Sequence, residues 1–237
     1  MSDFNRGDFF YDRQYLSSKY RLIGGGTESF IYKVSNDMVA KRFHEPRNLK
    51  VKHVHDTIIS CNPQTILTSN DFLIANNKIY TQFIEYFAGK QSMNIYDINF
   101  DLLSEFIRNL VIDVEELACN GIEMHDITPS SFIYSDSDMK LIDTTKYQYS
   151  RYSYSNLYQH NLNELFSISG YFEPKQYQNY YLNDLINISG NRDLEYLKDD
   201  YNNYYFYIKE VEKTYKEVTN INVKTINEGR NLVKLLK

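Results

Sequence analysis

The chain has no tryptophan, two cysteines and four prolines among 237 residues. With only Cys61 and Cys119, a disulfide framework is not expected, and reduced thiols in a cytoplasmic protein are the plain reading. No apolar run approaches the roughly 20 residues that cross a bilayer, so membrane insertion is not expected. Met1-Ser2-Asp3-Phe4-Asn5 lacks the basic-then-apolar pattern of a secretory leader. There is no excess of positive charge: 26 Lys and Arg stand against 31 Asp and Glu, a net charge of -5. The basic residues are scattered, so nothing indicates nucleic acid or an anionic membrane as a partner. Repeats, low-complexity linkers and coiled-coil heptads are missing as well. No Cys/His spacing suggests zinc. His53 and His55 are two apart and cannot share a helix face; with the isolated His44 they read as solvated surface.

What is present is a sheet-like half followed by a helical half. Residues 1–19 read as an irregular lead-in. Tyr20-Arg21-Leu22-Ile23, then Phe30–Val34 after a glycine turn, then Met38–Phe43 after Asn36-Asp37, read as three consecutive antiparallel strands. Leu49, Val54, Ile58 and Ile59 give residues 47–60 a modest helical pattern, which Asn62-Pro63 should end. Phe72–Ile74 and Ile79–Ile84, joined by Asn76-Asn77, read as two further strands. Residues 101–119 place Leu102, Leu103, Phe106, Leu110, Val114, Leu117 and Ala118 at helical spacing, with Asn120-Gly121 as the stop. Leu157–Phe166, Tyr201–Val218 and Asn227–Leu236 continue as helices. Many of the 23 tyrosines fall in the last third, where they are expected to pack the helices with their hydroxyls at the edge.

Several segments carry chemistry. Ile23-Gly24-Gly25-Gly26-Thr27-Glu28-Ser29 is a glycine-rich turn between strands, and glycines let backbone N–H groups approach phosphate oxygens. The same three glycines would also serve a plain hairpin. Val39-Ala40-Lys41 places a cation one hairpin later. Gly121 to Ile133 contains Met124-His125-Asp126, Thr128-Pro129 and Ser131. It is followed by Leu141-Ile142-Asp143, a short apolar segment that ends in a carboxylate.

In this order the segments resemble the protein-kinase-like superfamily, whose catalytic loop reads His-Arg-Asp, four residues, Asn, before a strand and Asp-Phe-Gly. The resemblance covers roughly residues 20–170. It implies an α+β bilobal fold, with an N-terminal five-stranded antiparallel sheet lobe and a reduced helical C-terminal lobe. A single domain over 1–237 is expected, with lobes at about 20–86 and 90–237. It further implies ATP and Mg²⁺ as cofactors. Gly24 and Gly26 would cover the phosphates, while Ser29 replaces a third glycine and Glu28 would repel phosphate if it pointed inward. Lys41 would clamp the phosphates and pair with an acid, for which Asp56 is favoured over Glu45. Ile84 would be the gatekeeper, and Glu85 and Phe87 would contact adenine through their backbone. Asp126 would position the acceptor hydroxyl. Asp143 would hold Mg²⁺, with Ser131 where the family has a second metal ligand.

Departures from the family pattern leave the activity open. Thr128 removes a cation near the transferred phosphoryl group. Met124 is an apolar filler for a packed His, and His125 replaces an Arg that reads a phosphorylated loop. Thr144-Thr145 replace Phe-Gly. Only ten to fifteen residues separate Asp143 from the helix that begins near Leu157, and Phe172-Glu173-Pro174 poorly matches the family's Ala-Pro-Glu. One reading is a slow phosphotransferase acting on a hydroxyl acceptor, protein Ser/Thr by default or a small molecule. A second is a pseudokinase that serves as a binding or regulatory module. A third is an unrelated α+β domain with chance matches.

Overall fold

The computed structural model describes residues 13–172 and 180–236; Glu173 and Pro174 lie outside them. The N-terminal half is a five-stranded antiparallel sheet: β1 (Arg21–Gly25), β2 (Ser29–Lys33), β3 (Met38–Asn48), β4 (Ser69–Ala75) and β5 (Lys78–Glu85). Its spatial order is β1-β2-β3-β5-β4. The β4–β5 connection is the Asn76-Asn77 turn, with φ of 48° and 57°. Asparagine tolerates such left-handed angles, and a two-residue turn of this hand matches the strand twist.

Cross-strand partners share a face, so the register sorts the sheet into two sides. Tyr32 pairs with Ala40, and Ala40 with Phe83. These three form a small cluster with Leu73 and Leu16. Leu16 comes from α1 (Arg13–Lys19), which covers that outer face, and its Ser17 hydroxyl lies 3.1 Å from the Tyr32 hydroxyl. Residues 13–19 are therefore helical, not an irregular lead-in. Its two apolar residues, Tyr15 and Leu16, are adjacent and give no helical periodicity. On the opposite face Ile31 pairs with Lys41, and Lys41 with Gln82.

Helix α2 (Lys50–Ser60) crosses that second face. It is anchored through Val54 and Ile58 in the large core that runs through the C-terminal half. The spine of that half is α3 (Phe100–Cys119), which buries Leu103, Phe106, Ile107, Leu110, Val114 and Leu117. Each fully buried side chain of this kind contributes about 1.5–3 kcal/mol. The Asn99 side chain caps α3 by accepting from the Asp101 N–H, and Gly121 follows it at φ +71°, which ends the helix. Short strands then alternate with loops: β6 (Lys90–Gln91), β7 (Ile122–Glu123), β8 (Phe132–Tyr134), β9 (Met139–Leu141) and β10 (Gln148–Tyr149). β6, β8 and β9 form one small sheet, and β7 pairs with β10.

The remaining helices are α4 (Tyr154–Asn163), α5 (Tyr180–Ser189), α6 (Asp193–Leu197), α7 (Tyr204–Thr219) and α8 (Ile226–Lys234). Tyr171, Tyr204, Tyr207 and Tyr215 are fully buried. These tyrosines place whole rings in the core, so their hydroxyls do not sit at its edge as expected. Phe166, Phe172 and Tyr204 pack ring on ring. The α+β bilobal architecture is thus the one the sequence implies. No helix among the described residues is long and apolar enough to cross a membrane.

Candidate active site

The site lies where the inner sheet face meets the loops of the helical half. β9 delivers Asp143 to it, and β9 is fixed from two sides. The Leu141 N–H donates to Thr65 O and the Leu67 N–H to Leu141 O, so the segment after α2 pairs with β9. That segment is held by Asp113, a buried acid of α3, which accepts from the Gln64 and Thr65 N–H groups at 3.0 and 2.6 Å. The Ile142 N–H donates to Ser131 O at 2.7 Å, joining the loop that carries Asp126 to the residue before Asp143.

Asp126 and Asp143 both have positive φ, 58° and 67°. A non-glycine residue there is uncommon, and such angles cluster where a surrounding structure forces them for function. The loop before Asp126 is held by Asn161 of α4. Its Oδ1 accepts from the Met124 N–H at 2.9 Å and its Nδ2 donates to Ile122 O at 3.0 Å. Asn161 is fully buried, and Met124 fills the core beside it.

Lys41 reaches across the cleft. It is 5% exposed, and its Nζ donates to Asp143 Oδ1 at 2.5 Å and to Thr145 Oγ1 at 3.3 Å. Thr145 in turn donates to Asp143. The surrounding protein pushes the Asp143 carboxyl up. The Lys41 ammonium and the hydrogen bonds from Thr145 outweigh that push, and hold it below the usual carboxylate range. The Asp143 side chain remains 49% exposed, so an ionised, accessible carboxylate stands beside a fixed cation. Sequence separation between the two is 102 residues. A sheet half that carries the cation and a helical half that carries the carboxylate is the arrangement that the sequence resemblance implies.

The acid expected to pair with Lys41 is not Asp56. Asp56 is exposed on α2 and pairs with Lys52 at 2.6 Å. The side chain that α2 turns inward is His55, fully buried and not solvated as expected. Thr144 Oγ1 lies 3.2 Å from His55 Nε2, Ser69 Oγ 3.3 Å from Nδ1, and Gln82 Nε2 3.3 Å from Nε2. Burial, then the nearby Lys41 charge, lowers the imidazole pKa to about 4, so it is neutral. Helix α2 thus turns an uncharged imidazole and no acid toward Lys41, which pairs with Asp143.

Each of the other expected residues has its own local setting. Gly24 and Gly26 lie at the β1–β2 turn, and the Gly26 N–H donates to Ser29 O at 2.9 Å. Nothing stands within 4 Å of a Cβ placed on Gly26. Glu28 is paired with Lys146 at 2.5 Å and Arg47 at 2.7 Å, and the Lys146 hydrogen bond leads the causes that hold its carboxyl below its ordinary range. Its charge is therefore compensated, and the glycine turn is tied to the segment after Asp143. Ile84 lies on the same sheet face as Lys41 and Gln82, opposite Val39. Glu85 ends β5 opposite Met38, the Tyr86 N–H donates to Asp37 O, and Phe87 O accepts from the Gly89 N–H. The Ser131 hydroxyl is engaged within its own loop: it accepts from the Thr128 N–H at 3.2 Å and lies 3.4 Å from the Thr128 hydroxyl. Cavities of about 290 and 170 Å³ lie elsewhere, one beside Arg13 and His44 and one between α3 and β9.

No protein-family profile matches the chain, and no curated protein matches it in sequence. Solved structures similar to it include a kinase, PK-1, of the Cydia pomonella granulovirus, with 17% identity and a TM-score of 0.42, covering 57% of this chain and 55% of that one. The twitchin kinase fragment of C. elegans is 17% identical with a TM-score of 0.44, covering 55% of this chain and 32% of that one. A Legionella pneumophila kinase bound to IP6 is 15% identical with a TM-score of 0.44, over 62% and 59%. The matched region spans little more than half of the first of these, and less than two thirds of each.

Proposed function

We propose that the chain is an ATP- and Mg²⁺-dependent phosphotransferase acting on a hydroxyl group. The observation that carries this reading is the Lys41–Asp143 pair, formed across 102 residues; a second acid, Asp126, shares the uncommon backbone conformation of Asp143. A scaffold alone has no need of a buried cation aimed at a half-exposed carboxylate.

The donor set fits a hard cation and a polyphosphate. Asp143 is an ionised oxygen ligand of the kind Mg²⁺ takes together with phosphate and water, and Ser131 stands second to it. The bound metal would neutralise charge that builds up on the transferred phosphoryl group. Lys41 would hold the phosphate oxygens once nucleotide draws it from Asp143, and the backbone at Gly24 and Gly26 would cover them. The backbone of Glu85 and Phe87 would take the adenine. Asp126 Oδ would accept the proton of the acceptor hydroxyl and fix its line of approach. Thr128 leaves that step without the usual cation, so turnover is slow. The acceptor is a protein Ser/Thr by default, with a small-molecule alcohol favoured by the short segment between Asp143 and α4. The two free cysteines fit a reducing cytoplasm.

Two observations favour the second reading, a pseudokinase: α2 offers Lys41 no acid, and the Ser131 hydroxyl is used within its loop. The readings separate on transfer of the γ-phosphoryl group of labelled Mg·ATP to water or to generic protein and sugar acceptors. The enzyme reading expects transfer by wild type and its loss in Asp126→Ala with nucleotide binding retained. Equal label in wild type and Asp126→Ala overturns it.

A further inference from the structure

Behind the catalytic loop, three ligating side chains from two distant stretches of sequence converge. Glu123 ends β7, His125 directly precedes Asp126, and His160 comes from α4. Glu123 Oε1 lies 3.2 Å from His125 Nε2 and 3.5 Å from His160 Nε2, and all three ligating atoms fall within 4.8 Å of one another. We infer that Glu123, His125 and His160 form a binding site for a divalent transition metal of the zinc class.

Three observations support it. First, the spacing fits. Zinc bonds of about 2.0–2.1 Å at tetrahedral angles place ligand atoms about 3.3–3.4 Å apart; the two carboxylate–imidazole separations bracket that value, and the imidazole–imidazole separation is at most 4.8 Å. Second, hydrogen bonding alone leaves the cluster unsatisfied. His160 Nε2 is buried and makes no hydrogen bond, although Glu123 Oε1 lies 3.5 Å away. A cation between them gives that nitrogen a partner. Third, a fourth oxygen is at hand. Gln148 stands directly opposite Glu123 in the β7–β10 pair, and turning its amide over, a freedom such groups have, presents Oε1 in place of Nε2.

The set is imidazole and carboxylate without thiolate, which suits Zn²⁺ and its neighbours better than Mg²⁺. Glu123 is almost wholly buried, while both histidines remain partly open, leaving a path for the ion. Once bound, the metal links β7, the loop that carries Asp126, and α4 next to Asn161, which grips the same loop. Its role is to fix that loop. The site is independent of nucleotide binding and stands whether or not the chain transfers phosphoryl groups.

The test uses the full chain, stripped with chelator and titrated with ZnCl₂. One zinc ion per chain is expected, with a rise in the thermal midpoint. Co²⁺ in its place should show the visible absorption of a four-coordinate site. Affinity should fall by at least about tenfold in His160→Ala and in Glu123→Gln, while His53→Ala, exposed on α2, should bind as wild type does. No zinc retained at about tenfold excess, or equal binding by His160→Ala and wild type, overturns the inference. Should the variants fail to fold, wild type alone decides. Zinc should shield His125 and His160 from diethyl pyrocarbonate, read by peptide mass spectrometry, and equal labelling with and without zinc overturns the site.

Discussion

The two halves of the molecule hold their parts of the site in different ways. On the sheet side, Lys41 stands on a layer whose outer face rests on a cluster of Leu16, Tyr32, Ala40, Leu73 and Phe83. On the helical side, Asp126 and Asp143 hang from a core that runs from α2 to α8. They are further tied by Asn161, by Asp113 and by the Ile142–Ser131 backbone bond. Helix α2 belongs to the larger core through Val54 and Ile58, although it faces the sheet. The difference teaches that the acids are held by the larger core and its polar ties, whereas the cation is held by strand pairing and by its bonds to Asp143 and Thr145.

Substitutions in the two cores should break the comparison most visibly. Leu110→Ala, in the middle of α3, should cost about 3–5 kcal/mol in denaturant unfolding, whereas Leu73→Ala in the small cluster should cost nearer about 2 kcal/mol. Equal losses would mean that the sheet side is as firmly held as the helical side.

Next in size is the pH response of His55, which bridges the halves. Its folded pKa of about 4 lies below the unfolded value of about 6.5. Between these values the unfolded chain holds more protons, so stability is complete above about pH 6.5 and declines as pH falls toward 4. The full effect is about 3 kcal/mol. Lys41, Asp143 and Asp56 are the charges that act on it. His55→Gln should flatten that part of the stability profile, and an unchanged slope would assign it to other groups.

Asn161→Ala should cost about 1–3 kcal/mol, since it leaves the buried Met124 N–H and Ile122 carbonyl without their partner. A chemical-shift or proteolysis probe should place the loosening at residues 122–126. Gly89→Ala tests the connection between the halves. A Cβ there would stand 2.6 Å from the Phe87 ring and run into Ile133, a clash of about 1–3 kcal/mol. The smallest effect is expected from Glu28→Gln. Its ion pairs with Lys146 and Arg47 are partly exposed and contribute about 0–1 kcal/mol, so thermal stability should hardly move.

Much of this comparison was legible in the sequence, and the exceptions have physical causes. The hairpins were marked by Asn36-Asp37 and Asn76-Asn77, and α3 by its regular apolar stripe. Of the glycine turn, Lys41, Asp126 and Asp143, the structure joins Lys41 to Asp143. Residue type alone points to Asp56, whereas the helix face points to His55. At about 100° per residue, Asp56 lies about 200° from Val54, on the outer side, whereas His55 lies on the flank that turns to the sheet. Asn161 left a signal that went unread: it interrupts the apolar stripe of Leu157 and Leu165 at four-residue steps, the mark of a buried polar group with a task. The Glu123–His125–His160 cluster had no local spacing to reveal it, because His160 arrives only when α4 packs against the loop that carries Asp126.

The most direct test of the account is the thermal shift on Mg·ATP for wild type, Lys41→Ala and Asp143→Asn. A ligand that binds only the folded state raises the midpoint. The account predicts a Mg²⁺-dependent rise in wild type that disappears in both variants. No rise in wild type at millimolar Mg·ATP, or the same rise in all three proteins, would contradict a nucleotide site built on the Lys41–Asp143 pair.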